Sequence, residues 1–212
     1  MTTTTLAPPT EIIRLSGISW QTYETLHAEL SINRRLRLTY NRGNLEIMAP
    51  SPEHELYKEV MGRFVETLAE ELKVKIYPLG STTFKHPQLS GAEPDKCFYI
   101  QNIKAVQGKK RLNHGKDPGP DLVVEIDITS ASTDRFQVYA DLGVSEIWRY
   151  DGKSFTINQL QDKEYVVREY SLFFPNLPLS EITQFLQQAE TMDYLELVSA
   201  FRNWIKSQIS LG

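Results

Sequence analysis

The stretch Pro120-Asp121-Leu122-Val123-Val124-Glu125-Ile126-Asp127-Ile128 alternates acids with aliphatic side chains. A period of two is the mark of a strand, because successive side chains point to opposite faces. Asp121, Val123, Glu125 and Asp127 share one face, and Leu122, Val124, Ile126 and Ile128 the other. The aliphatic face is expected to be core, and the acidic face to line something wet or ionic. A second apolar run, Glu93-Pro94-Asp95-Lys96-Cys97-Phe98-Tyr99-Ile100, carries an acid in a similar place. Burying an unpaired charge is costly, so two such strands suggest that their acids meet. Asp121 and Glu125 stand roughly 13 Å apart along the strand, too far to share one ion, whereas Glu125 and Asp127 stand about 7 Å apart. Asp95 is the more plausible partner for Glu125. Paired carboxylates with no softer ligand beside them suit a hard divalent cation, Mg²⁺ or Mn²⁺.

Around these strands the chain alternates helical and extended patterns. Residues 18–30 read as a helix capped by Ser19. A hairpin follows, with Leu36, Leu38 and Tyr40 alternating with polar neighbours, a turn at 41–44, and Leu45 and Ile47 resuming the alternation. Ser51-Pro52-Glu53 opens the strongest helix, in which Leu56, Val60, Phe64, Leu68 and Leu72 recur every four residues. Residues 74–79 and 81–85 read as strands. Ser130 to Asp134 supplies hydroxyl and carboxylate caps for a helix near 133–142, ended by Gly143. Val144 to Tyr150 is a strand, Asp151-Gly152 a hairpin turn, and two more strands run to about residue 171. Two helices close the chain, and the second bears Leu197, Phe201, Trp204 and Ile205. The expectation is a flexible tail over 1–17, then a single α/β domain over 18–212 with a C-terminal helical extension.

Composition narrows the function classes. The 212 residues are enough for one well-buried core. No apolar run approaches the roughly 20 residues of a membrane helix, and the first residues lack the pattern of a signal peptide. Cys97 is the single cysteine, which excludes an internal disulfide and a cysteine zinc site. These features favour a reducing, cytoplasmic setting. The net charge of −4 does not advertise nucleic-acid binding. Yet Lys104, Lys109, Lys110, Arg111 and Lys116 lie between the two acidic strands with no acid among them. That stretch reads either as a solvated surface loop or as a loop beside the acids that contacts phosphates through Lys109, Lys110 and Arg111.

The stretch 120–126, the downstream Tyr139-Ala140-Asp141-Leu142-Gly143-Val144-Ser145-Glu146-Ile147-Trp148 and the helix opened by Glu53-His54 are together similar to the Uma2 family of restriction-endonuclease-like proteins. The order of elements resembles the PD-(D/E)XK nuclease fold, a mixed central sheet flanked by helices. The resemblance covers roughly residues 20–180. It implies a metal-dependent DNA phosphodiesterase in which Asp95 and Glu125 bind Mg²⁺. The wider superfamily places a lysine two residues after the glutamate, where this chain has Asp127. Arg135 then stands in as the cation, although arginine does not take up a proton near neutral pH. Asp127 is a candidate third carboxylate. His54 is a candidate accessory group, or else a surface or capping residue. Relatives with this fold often pair as homodimers, and the closing helix is a candidate contributor, equally well explained by packing on its own domain. The rival reading is a catalytically degenerate module that binds nucleic acid or a protein partner without cleavage.

Overall fold

In a computed structural model, residues 11–30, 36–128 and 133–211 are described. Ser130 and Ser132, expected to cap the helix near 133–142, lie outside that set. The elements run β1 (Glu11–Leu15), α1 (Trp20–Leu30), β2 (Arg37–Asn41), β3 (Asn44–Ala49), α2 (Pro52–Leu72), β4 (Tyr77–Pro78), β5 (Phe84–His86), β6 (Ser90–Ala92) and β7 (Lys96–Tyr99). They continue with α3 (Ile103–Val106), β8 (Leu122–Ile126), α4 (Thr133–Asp141), β9 (Glu146–Tyr150), β10 (Phe155–Gln161), β11 (Glu164–Arg168), α5 (Ile182–Gln188) and α6 (Tyr194–Leu211). β1 falls within the stretch expected to be a tail, and it pairs with β3 in register Glu11↔Ala49 to Leu15↔Leu45.

The strands form the expected mixed central sheet and, around the N-terminal hairpin, a further, antiparallel one. An antiparallel sheet has the order β1-β3-β2-β6-β5, and a mixed sheet the order β11-β10-β9-β8-β7-β4. Within the second, β8 and β9 are the parallel pair and α4 is their crossover. A parallel pair needs such a crossover, since a tight turn cannot reverse the chain twice.

The aliphatic face of β8 packs as expected. Leu122, Val124 and Ile126 join Val60, Phe64 and Leu68 of α2 in the main core. α2 begins because Ser51 accepts a hydrogen bond from the His54 N–H at 3.2 Å and Pro52 sits in the first turn. The stripe on α6 belongs to the same core. Phe201 stacks on Phe64 at 4.0 Å between ring centroids and on Trp204 at 5.4 Å, so packing on its own domain accounts for it.

The other face of β8 is also buried. Val123, Cys97 and Ile147 pack against Val138 and Tyr139 of α4, and α4 in turn touches β2 and β6. The acidic face therefore looks into the interlayer between the two sheets, and of the wet or ionic surroundings expected it has the ionic kind. The β2–β3 hairpin behaves likewise, since every residue of β2 is buried. Its aliphatic side packs with Tyr23 of α1. Its polar side, with Arg37 and Glu46, is buried as well.

Candidate active site

The register of β7 on β8 runs from Phe98↔Leu122 to Lys96↔Val124. One step further sets Asp95 opposite Glu125, with their Cβ atoms about 5 Å apart by the geometry of such pairs. Both are about 1 % exposed. Asp95 Oδ2 accepts a hydrogen bond from the Ile126 N–H at 2.7 Å, and His54 Nε2 lies 3.2 Å from the same oxygen. Asp95 Oδ1 touches Arg37 Nη1 but accepts no aligned hydrogen bond.

Glu125 is held from α4. Arg135 Nη1 donates to its Oε2 at 2.7 Å, and the Tyr139 hydroxyl donates to its Oε1. Arg135 is a fork: its Nη2 donates to Glu46 Oε1 at 2.7 Å, and its Nη1 lies 3.6 Å from Asp127 Oδ1. Asp127 also accepts from Arg149 Nε at 2.7 Å, and Arg149 lies beside Glu125 in the β8–β9 register. Four carboxylates, Glu46, Asp95, Glu125 and Asp127, thus interleave with three guanidiniums, Arg37, Arg135 and Arg149. The sequence candidates Asp95, Glu125, Asp127, Arg135 and His54 all fall in this one network.

Burial pushes the Glu125 carboxyl above its usual range, with Arg135 pulling it back and Asp127 adding to the rise. Although burial opposes it, the carboxylates of Glu125 and Asp127 hold Arg135 above the ordinary arginine value. Burial lowers His54, so the imidazole is neutral near pH 7. His54 is thus neither a surface residue nor a free base. It is packed against Asp95.

The basic loop lies elsewhere. β7 and β8 are antiparallel, and residues 100–121 join the ends of those strands opposite Asp95 and Glu125. The separation along the strands is about 13 Å. Asp121 anchors that end by accepting from the N–H groups of Ile100, Gln101 and Asn102 at 2.6, 2.9 and 3.0 Å. Lys109 is tied to Asp117 at 2.6 Å, while Lys110 and Arg111 are exposed. The loop, β5 and the C-terminal end of α4 enclose a cavity of about 200 Å³ that none of the acid network lines.

A family model described as "Uma2: Putative restriction endonuclease" matches residues 20–192. The chain belongs to the Uma2 family. Among solved structures, it is similar to a protein of Anabaena variabilis ATCC 29413 described as a "putative nuclease belonging to DUF820". That similarity has 15 % identity and a TM-score of 0.47, and it covers 77 % of this chain and 90 % of the other. A second similarity, to the type IIG restriction endonuclease BpuSI, has 15 % identity and a TM-score of 0.38 over 73 % of this chain and 17 % of that one. No curated protein sequence matches. The family match, described as a restriction endonuclease, and the mixed sheet flanked by helices agree with the α/β class expected from the sequence.

Divalent ions are the usual cofactors of such nucleases, so the site must be tested against one. Among the described residues no three His, Cys, Asp or Glu side chains converge as a ready cage. The donors nonetheless fit Mg²⁺ in kind and number, because that ion commonly uses one or two carboxylates and completes its shell with water and phosphate oxygens. Asp95 Oδ1 accepts no aligned hydrogen bond, but an ion there would have to displace its contact with Arg37.

Arg37, Glu46, Tyr139 and Arg149 were missed as site residues. Arg37 and Glu46 occupy the polar positions of the hairpin alternation, which reports polarity and not exposure. Their partners in the network lie far away in sequence, Asp95 just before β7 and Arg135 on α4.

Proposed function

We propose that this Uma2 chain is an endonuclease that hydrolyses DNA phosphodiester bonds with Mg²⁺ or Mn²⁺. The observation that carries the reading is the placement of Asp95 opposite Glu125, buried at one end of β7 and β8 beside Arg135. Asp95 and Glu125 would hold the ion, with Asp127 as a neighbouring carboxylate. Bound there, the ion supplies charge to polarise the phosphate and acidify a water molecule.

The chain's own groups position the rest. The Ile126 N–H and His54 fix Asp95 Oδ2 and so orient Oδ1. Arg135 keeps its proton throughout, so it contributes charge to the phosphate and no proton transfer. Glu46 and Glu125 aim its fork. The exposed Lys110 and Arg111 are the proposed contacts to backbone phosphates beyond the site, with Lys109 already engaged by Asp117. A reducing, cytoplasmic setting is part of the proposal and is supported by Cys97 being the single cysteine, which leaves no internal disulfide to form.

One observation favours the second reading, a degenerate module that binds nucleic acid or protein without cleavage. Arg37 and Arg135 already contact the two acids an ion would need. Nicking of supercoiled plasmid with Mg²⁺, Mn²⁺ or chelator, alongside calorimetric ion binding, separates the two. The endonuclease reading expects ion-dependent nicking and ion binding that both vanish in Asp95→Ala and Glu125→Ala with the fold intact. A wild type that retains DNA with steep salt dependence, yet neither binds ion nor nicks, assigns the module instead.

A further inference from the structure

We infer that β11 is a docking edge for a second copy of this chain, joining two six-stranded sheets into one continuous sheet. β11 ends the order of the mixed sheet and has β10 as its strand neighbour. Glu164, Val166, Val167 and Arg168 are exposed, with Val167 at 63 %. The exposed Tyr170 and Leu172 extend the apolar patch just beyond the strand. Native edges are normally blunted by proline, lysine or a bulge. The central positions of this edge carry two valines instead.

The hairpin geometry shows what the edge offers. Asp162 and Lys163 have φ of 50° and 71°, as in a two-residue turn with both residues left-handed. In such a turn the closing pair, Gln161↔Glu164, exchanges both backbone hydrogen bonds, and every second pair follows suit. Glu164, Val166 and Arg168 therefore bond towards β10. Tyr165 and Val167 direct their N–H and C=O groups outward.

That pattern is self-complementary. A two-fold axis through Val166 sets Tyr165 opposite Val167 of the partner subunit and Val167 opposite Tyr165 of the partner subunit. These are the residues with outward backbone groups, so each pair exchanges two hydrogen bonds. The same axis sets Glu164 opposite Arg168 of the partner subunit, giving an opposite-charge pair at each end. An unrelated strand gives no reason for opposite charges equally spaced about the central valine. Arg168 now uses one donor on Gln161 Oε1 at 2.6 Å. Edge bonds alone bury too little surface for a stable dimer, and Val166, Tyr170 and Leu172 supply the apolar area. β11 runs parallel to β8, because β8–β9 is parallel and the next two pairings are antiparallel. The acid sites then point to opposite ends of the joined sheet, so this pairing stands or falls separately from the chemistry proposed above.

Sedimentation velocity of the full chain across a micromolar range tests the inference. The wild type is expected to be a dimer. Val167→Pro removes an outward N–H that β10 does not use, so it should give a folded monomer. Glu164→Arg and Arg168→Glu each place like charges at two symmetry-related pairs and should raise the dissociation constant roughly tenfold or more. The double swap Glu164→Arg/Arg168→Glu should restore the dimer. A monomeric wild type overturns the inference, as does a dimer that both charge reversals leave intact. If Val167→Pro unfolds, the charge series decides alone.

Discussion

The two ends of β8 bury their acids in different ways. At its start, Asp121 is satisfied by three backbone N–H groups and the Asn102 side chain. Its neighbour Glu146 accepts from Trp148 Nε1 at 2.6 Å, Ser171 Oγ at 2.5 Å, the Leu172 N–H at 2.7 Å and Gln159 Nε2 at 3.0 Å. Every one of those donors is neutral. At the far end, Asp95, Glu125 and Asp127 face guanidiniums on long side chains from other elements. Neutral donors fixed by the backbone make a permanent socket, whereas a guanidinium on a flexible stem can be exchanged for an ion or a phosphate. On the proposed function, the first end stays as it is and the second is the one an ion or a phosphate would occupy.

Removing the central cation should break this contrast most severely. Arg135→Met leaves Glu46 and Glu125 buried without their common partner, which should cost about 3–5 kcal/mol. For a chain of this size that corresponds to a fall of roughly 10 °C in Tm. Thermal unfolding that differs little from the wild type would falsify the view that Arg135 compensates these charges.

At the other end the expected losses are smaller and leave ion binding alone. Asp121→Asn weakens acceptance from three backbone N–H groups and should cost about 2 kcal/mol, the scale of hydrogen bonds to a charged group. Glu146→Gln should cost about 1 kcal/mol, because only part of one carboxylate's acceptance is lost. Urea unfolding gives both values, and calorimetry should find Mg²⁺ binding unchanged in each. Loss of ion binding in either variant, with the fold intact, would show that the two ends are not independent.

The sequence made one end of this contrast legible and hid much of the other. The acids of β8 stood out because a charge in an aliphatic run needs a reason, and Asp95 followed by the same logic. At the other end, nothing in the Pro120-Asp121 pair gave a sign that Asp121 anchors a loop. The helix stripe of α2 was readable from its period alone. Arg37 and Glu46 were not, since Asp95 and Arg135 come to them from remote parts of the chain and alternation assigns sides without saying what covers them. The basic loop was misplaced for a related reason. Nearness in sequence to both acids concealed that antiparallel strands put the connection at the opposite end.

The smallest expected effect sets Glu55, beside the acid site, against Glu146, because their contributions to stability depend on pH with opposite sign. Glu55, in the first turn of α2, contacts Arg37 Nη2 at 3.1 Å and Lys58. His54, with Lys58 and Arg37, draws its carboxyl down from 4.5 to about 2 against the effect of burial. Between those values the folded chain binds fewer protons here than the unfolded one. The contribution is therefore complete above 4.5 and fades as the pH falls to about 2. Glu55 is 41 % exposed, so solvent screening keeps it small. Glu146 has the opposite sign: burial raises it, so its contribution falls as the pH rises above the ordinary carboxyl range. Stability by urea unfolding at stepped pH should thus lose slope on the acid side in Glu55→Gln and on the less acidic side in Glu146→Gln. Matching profiles would mean that Glu55 is not held down by its cationic neighbours, or that Glu146 is not raised by burial.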